Sequence, residues 1–95
     1  MNKYELVVVL DGSLEDDERS AAMERVNGYI TRFGGTVTDT DDWGKRRLAY
    51  EIKKQNEGFY TFIRFDAPVD APAQIEANIR IMEQVIRFLI VKQEA

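Results

Sequence analysis

Phe59-Tyr60-Thr61-Phe62-Ile63-Arg64-Phe65 is a run of seven residues that predicts a β-strand with two different faces. Aromatic and β-branched residues favour strands, and Pro68 ends this one. A lone arginine rarely points into the core of a small domain, so we expect Arg64 to point outward. Successive side chains of a strand lie on opposite faces. Tyr60 and Phe62 are therefore predicted to share the outward face with Arg64.

The residues before this strand predict a hairpin whose first arm contains a β-bulge. Residues 36–42 have the composition of an edge strand, with Val37 pointing inward. Between residues 48 and 52 the apolar positions have even numbers, so the apolar set has moved from odd to even positions. One inserted residue explains that change, and Trp43-Gly44 is where a glycine allows a bulge. Residues 54–58 have the composition of the connecting turn.

The segment before the hairpin predicts a buried strand followed by a helix. Residues 4–10 are rich in β-branched side chains, as expected for a strand in the middle of a sheet. Ser13 is the predicted N-cap, and acidic residues follow where the helix dipole favours negative charge. Apolar residues recur every three or four positions from Met23 to Phe33. Gly34-Gly35 then ends the helix, because one glycine supplies the left-handed cap.

The segment after the hairpin predicts a second helix and a last strand. Asp70 and Pro72 mark the start of the helix, and its apolar stripe extends from Ile75 to Met82. Residues 85–92 are dense in Val, Ile, Leu and Phe. The order βαββαβ predicts a single α+β domain over residues 1–95. We expect the ferredoxin-like fold, with a four-stranded antiparallel sheet and both helices on one face.

The sheet face opposite the helices is predicted to be uncovered, apolar and basic. By the same reasoning on parity, Arg87 points outward in the last strand with Leu89 and Val91 beside it. Lys3 and Glu5 of the first strand join them. Surfaces that combine arginine with aromatic side chains bind partners, either proteins or stacked bases. In the alternative interpretation the parity is inverted and the aromatic side chains belong to the core.

Composition excludes several kinds of site. The 95 residues include no Cys and no His, which excludes disulfides, the usual zinc sites and Ser-His catalysis. We expect no enzyme, no metal, no cofactor and no small-molecule substrate. No signal peptide is visible, and no run of about 18 apolar residues that would span a membrane. We therefore expect a cytoplasmic protein without a membrane partner.

The net charge of −4 conceals an asymmetry along the chain. Residues 1–42 contain four bases and ten acids, whereas residues 43–95 contain nine bases and seven acids. Lys45-Arg46-Arg47 and Lys53-Lys54 concentrate positive charge on the predicted hairpin. Such side chains bind phosphates in a salt-dependent way. Alternatively, they are solvated edge charges that prevent pairing between sheets.

Gly44-Lys45-Arg46-Arg47-Leu48-Ala49-Tyr50-Glu51-Ile52-Lys53 resembles the signature segment of the bacterial small-subunit ribosomal protein number six family. Tyr4-Glu5, Gly34-Gly35, Asp42-Trp43 and the ending Val91-Lys92 also fall where that family has them. The resemblance implies a ferredoxin-like component of the small ribosomal subunit. It further implies a heterodimer with ribosomal protein number eighteen, and binding to the central domain of the small-subunit ribosomal RNA. Because the net charge is negative, we expect weak RNA binding by the chain alone and help from a basic partner.

Two sets of contact residues follow from the resemblance and the predicted surface. Eight cationic side chains are candidates for RNA contacts: Lys3, Lys45, Arg46, Arg47, Arg64, Arg80, Arg87 and Lys92. Four apolar or aromatic side chains are candidates for the protein partner: Trp43, Tyr60, Phe62 and Leu89. Arg80 has an alternative role in capping the second helix, and Trp43 in packing at the bulge. Leu48 is interpreted as structural.

Three other functions are compatible with the same fold. RNA-recognition domains carry a basic-Gly-aromatic signature on the third strand, but here Glu57 precedes Gly58 in place of a basic residue. A small-ligand regulatory domain would need a glycine at the first turn, and Gly12 is present. An acyl-phosphate hydrolase would need an Asn and an Arg at a glycine-rich anion loop. No asparagine of this sequence lies in such a loop.

Overall fold

The computed structural model describes the backbone of residues 1–52 and 55–93, and the side chains of residues 1–48 and 56–93. The predicted turn at Lys54 and the side-chain environments of Tyr50 and Ile52 lie outside this description. Six elements follow one another in the predicted order: β1 (Asn2–Asp11), α1 (Asp16–Arg32), β2 (Thr36–Ile52), β3 (Gln55–Ala67), α2 (Ala71–Ile79) and β4 (Val85–Gln93). The expected βαββαβ order is confirmed.

The four strands form one antiparallel sheet in the order β2-β3-β1-β4, with β1 and β3 in the middle. Both helices pack on the same face of this sheet. Leu6 and Ile63 from the central strands contact one core with Val26 of α1 and Ile75 of α2, and all four are fully buried. The ferredoxin-like α+β fold predicted from the sequence is confirmed.

The start of α1 differs from the prediction. The helix begins at Asp16 with Glu15 as N-cap, and the Glu15 N–H donates to Glu18 Oε1 at 3.0 Å. Ser13 instead closes the preceding turn, because its backbone N–H and its hydroxyl both donate to Asp11 Oδ1, at 2.9 and 2.8 Å. Glu18, at the third helical position, stabilises an N-cap at Glu15, whereas the sequence predicted the N-cap at Ser13. At the other end the prediction is confirmed, since Gly34 has a φ of +87°.

Strand β2 contains the predicted bulge and two irregularities that were not predicted. The pairing with β3 shifts between Asp42 and Gly44, and Gly44 has a φ of +73°. Further shifts occur between Val37 and Asp39 and between Arg47 and Ile52. Val37 pairs with the buried Phe65, as expected for an inward position, but the edge of the sheet leaves it 37% exposed.

The hairpin of β2 and β3 is longer than predicted. Strand β3 begins at Gln55, so residues 55–58 belong to the strand rather than to a turn. These residues pair with the end of β2, including Arg47 opposite Glu57. The polar composition of these residues predicted a loop. A strand can form here nevertheless, because the two strands are joined by backbone hydrogen bonds, which do not require buried apolar side chains. The predicted end of β3 before Pro68 is confirmed.

The second half of the chain follows the prediction closely. Helix α2 has Pro72 in its first turn, and Ile75, Ile79 and Met82 of its apolar stripe are buried. Strand β4 then pairs with β1 along an edge of the sheet. Among the residues described, no helix combines the length and the apolar character needed to cross a membrane.

We expect Gly44→Ala to destabilise the protein and Gly28→Ala to stabilise it. The positive φ of Gly44 disfavours any Cβ, which costs about 1 kcal/mol. Gly28 lies within α1, and an added Cβ would meet no atom within 4 Å. Alanine there should add about 0.5–1 kcal/mol through helix propensity. Urea unfolding of both variants measures the two free energies, and equal stability of Gly44→Ala and the wild type would contradict the bulge geometry.

Candidate protein and nucleic-acid interfaces

The sheet face opposite the helices, here called the open face, carries the side chains that the sequence placed there. Arg64 and Arg87 are exposed, while Ile63 and Phe65 beside Arg64 are buried against the helices. Strand pairing places Phe62 next to Val7 of β1, and Leu89 of β4 on the other side of Val7. The outward parity predicted for β3 and β4 is confirmed, and the inverted alternative is wrong.

The middle of the open face is apolar and aromatic. The rings of Trp43 and Phe62 pack with centroids 4.7 Å apart and a tilt of 44°. The Trp43 indole N–H donates to Asp41 Oδ2 at 2.9 Å, and yet 48% of Trp43 is exposed. Across β1, Leu89 is 54% exposed. Trp43 therefore packs against Phe62 at the bulge and also exposes part of its ring to solvent.

A groove of about 140 Å³ runs between β3 and β4 on the open face. Its lining residues come from the three strands at this side of the sheet: Val7, Val9, Tyr60, Arg87, Phe88 and Leu89. A cavity of about 150 Å³ accommodates a molecule of the size of benzene. The groove is therefore large enough for one large apolar or aromatic side chain.

One end of the open face is covered by the chain itself, which the sequence reasoning did not predict. Val9, Leu48 and Ile86 are buried in a second small cluster, with Tyr60 packed against it. The pairing of β1 with β4 shifts next to Val9, and this irregularity lies beside Ile86. Tyr60 is consequently half-buried. The structural role predicted for Leu48 is confirmed, and the expectation of a fully uncovered face is wrong at this end.

The cations at the other end of the open face are balanced by carboxylates. Arg64 Nε lies 3.2 Å from Glu5 Oε2, and Arg64 Nη1 donates to Asp39 Oδ2 at 2.7 Å. Lys3 Nζ lies 3.7 Å from Asp66 Oδ1. These ion pairs leave no excess positive charge at this end, so the prediction of a basic face is wrong here. Two carboxylates already satisfy Arg64, which weakens the case for a phosphate contact at this residue.

The remaining candidate RNA contacts lie on more than one surface. Arg46 belongs to the open face, because its guanidinium lies 5.6 Å from the Trp43 ring centroid and its Nε donates to the Trp43 carbonyl oxygen at 3.1 Å. Lys45 pairs with Phe59 of the main core, so it lies on the helix side of the hairpin. Arg47, two residues on, shares that side.

Lys92 and Arg80 lie away from both groups. Lys92 is opposite the buried Tyr4 and so belongs to the helix side of edge strand β4. Arg80 ends α2, with Nη2 4.0 Å from Glu76 Oε2. The eight cations therefore do not form one continuous patch.

Comparison with known proteins assigns the family. The family model described as "Ribosomal protein S6" matches residues 3–92. The chain belongs to the ribosomal protein S6 family. It is 44% identical over 94 residues to the small ribosomal subunit protein bS6 of Alkaliphilus oremlandii, covering 99% of both chains. It is 45% identical to the bS6 protein of Clostridium kluyveri over 94 residues, again with 99% of both chains covered. The predicted family is confirmed.

Solved structures agree with the family assignment. The 30S ribosomal protein S6 of Thermotoga maritima superimposes with a TM-score of 0.92 at 30% identity, covering 97% of this chain and 87% of that one. The P2 domain of the chemotaxis kinase CheA, solved with the response regulator CheY, gives a TM-score of 0.64 at 16% identity. It covers 97% of this chain and 98% of that one. This second similarity shows a shared fold and nothing further.

We expect Arg64→Gln to destabilise the protein by less than about 1 kcal/mol, since ion pairs of half-exposed groups contribute little. The loss should shrink at high ionic strength, because salt screens both the lost attraction and the repulsion between Glu5 and Asp39. Urea unfolding at low and high salt measures the effect. Arg80→Gln, which removes a single exposed pair, is the matched control and should leave stability unchanged. A salt-independent loss for Arg64→Gln would argue against the ion pairs.

Proposed function

We propose that this member of the ribosomal protein S6 family is a structural constituent of the bacterial small ribosomal subunit. In this role it forms a heterodimer with ribosomal protein number eighteen, and the pair binds the central domain of the small-subunit ribosomal RNA. The function is one of assembly rather than catalysis, and it belongs in the cytoplasm with the ribosome. Family membership supports a role in the small ribosomal subunit. The exposed apolar side chains of the open face support the binding of a protein partner.

The apolar centre of the open face supports a protein partner. Trp43 and Leu89 are about half exposed although they are large and apolar, and Phe62 lies beside them. Monomeric proteins rarely expose a continuous surface of this kind, and aromatic residues are enriched at the centres of protein interfaces. Tyr60 contributes one wall of the groove rather than an exposed ring. The four partner candidates thus converge on one surface.

The charge of the chain supports a basic partner and shared RNA binding. The net charge is −4, and the first turn of α1 exposes Asp16, Asp17 and Glu18 to solvent. Phosphates are repelled by such a surface, so RNA affinity must come from local cations. On the open face the carboxylates of Glu5 and Asp39 balance Arg64. A basic partner on this face would gain attraction from the acids and would add positive charge for RNA.

The hairpin is the proposed RNA contact within this chain. Lys45, Arg46 and Arg47 are exposed on the β2 arm. Arg47 lies beyond the last pair formed between β1 and β3, Asp11 with Gly58, whereas Lys45 and Arg46 lie opposite Phe59 and Gly58. Together they present positive charge to a polyanion at this end of the sheet. Lys3, Arg80, Arg87 and Lys92 remain secondary candidates for phosphate contacts.

A stand-alone RNA-binding module on the sheet surface is the less favoured alternative. Such modules stack bases on aromatic side chains and hold the backbone with nearby cations. Here Phe62 is already packed against Trp43, and Glu5 and Asp39 lie close by. The same surface suits a cationic protein better than it suits a nucleic acid.

We expect the purified chain to bind a central-domain RNA fragment weakly alone and tightly with ribosomal protein number eighteen, because the partner supplies the missing positive charge. Titrations with and without the partner at two salt concentrations measure this difference. Replacing Arg46 and Arg47 by Gln should reduce the salt dependence of the complex by roughly one unit of slope per lost phosphate contact. Replacing Arg25 and Arg32 on α1 by Gln removes the same number of charges elsewhere and should change the slope little. Equal RNA affinity with and without the partner would refute the proposal.

A further inference from the structure

Two cations from different elements meet at the ring of Phe59 on the helix side of the hairpin. The guanidinium carbon of Arg19, in the second turn of α1, lies 4.3 Å from the ring centroid. The ammonium of Lys45, on β2, lies 5.4 Å from the same centroid. The distance between the Arg19 guanidinium carbon and the Lys45 ammonium cannot exceed the sum of these two distances. This sum is close to the Debye length in physiological salt, so salt only partly screens the two charges from each other. The sequence reasoning did not consider Arg19, which is distant from Lys45 along the chain.

Among the described side chains, the two cations at this ring form one ion pair, between Arg19 and Asp16. Arg19 Nη2 lies 3.5 Å from Asp16 Oδ1, but the Asp16 side chain is 98% exposed, so the pair is weak. Among the side chains that the structure describes, no carboxylate forms an ion pair with Lys45. A ring attracts each exposed cation only modestly. An anion within reach of both cations would be attracted by both.

A polar groove adjoins Arg19 and offers hydrogen bonds to the same ligand. The groove measures about 260 Å³, and its lining includes Arg19, the hydroxyl-bearing Ser20, Thr40 and Thr61, and the carboxylate of Asp42. The hydroxyl groups of Ser20, Thr40 and Thr61 can exchange hydrogen bonds with a sugar hydroxyl, and the Asp42 carboxylate can accept one. A ligand that combines a phosphate with hydroxyl groups would therefore use the cations and this groove together.

We propose that Arg19 and Lys45 bind one backbone phosphate of RNA over the Phe59 ring, with the adjoining groove receiving a ribose hydroxyl. The inference rests on the proposed function, in which RNA is the ligand of the hairpin, and it adds a contact from α1. Arg47 lies on the same side of β2 and extends the track of cations along the hairpin. The RNA then follows the helix side of the hairpin, and the open face stays accessible to the protein partner.

The test compares RNA binding by the wild type and by the double variant Arg19→Gln, Lys45→Gln, each with the basic partner protein. We expect the double variant to bind a central-domain RNA fragment about tenfold more weakly, as for one lost charge-assisted contact. Its salt slope should fall by about 0.7–0.9, the change for one phosphate. The double variant Arg25→Gln, Arg32→Gln removes two charges from other parts of α1 and is the matched control. An Arg19→Gln, Lys45→Gln variant that behaves like this control would overturn the site.

A second measurement separates failure of the site from failure of the proposed function. The wild-type chain alone is titrated with a short RNA oligomer at low ionic strength, and the side-chain Nε–H signals of arginine are followed by NMR. A larger shift for Arg19 than for Arg25 supports the site, and no shift for Arg19 overturns it. If the wild-type heterodimer fails to bind the RNA fragment, the proposed function fails, and the NMR titration still decides the site. Because this titration uses the wild type, its result does not depend on the folding of any variant.

Discussion

The structure depends on the fact that two helices cover only one face of a four-stranded sheet. Along β3 and β4, alternate side chains either enter the core beneath the helices or remain on the opposite face. Ile63 and Phe65 enter the core, whereas Phe62 and Arg64 do not. The chain closes part of that face with Leu48 and Ile86, and leaves the part around Trp43, Phe62 and Leu89 exposed. A protein partner could bury this exposed apolar surface, and the charged side chains next to it already form ion pairs within the chain.

Charge divides the remaining surface into regions with different uses. Acidic side chains are concentrated in the first turn of α1. On the open face, the carboxylates of Glu5 and Asp39 form ion pairs with Arg64. Positive charge is concentrated on the hairpin and at the Phe59 ring, where Arg19 joins Lys45. In the proposed function, the hairpin therefore binds the polyanion and the open face binds a cationic protein. The basic partner then compensates for the net negative charge of this chain.

Local patterns in the sequence were sufficient for the elements, their order and the orientation of β3 and β4. The parity change around Trp43 located the bulge because, without an inserted residue, apolar residues of changed parity would lie on the opposite face. Features that depend on contacts between distant residues could not be found in this way. The Arg64 ion pairs require Asp39 to lie opposite Arg64, and the unpredicted register shift after Val37 determines that pairing. The cluster of Val9 with Leu48 and Ile86 and the meeting of Arg19 with Lys45 likewise depend on tertiary packing.

Trp43 is the single tryptophan of the chain and lies at the centre of the open face, so its fluorescence reports on that surface directly. The decisive measurement is the quenching of this fluorescence by acrylamide, before and after ribosomal protein number eighteen binds. Because Trp43 is 48% exposed in the isolated chain, burial by the partner should reduce quenching markedly and shift the emission to shorter wavelength. A heterodimer that forms while Trp43 stays as accessible to acrylamide as before would contradict the account.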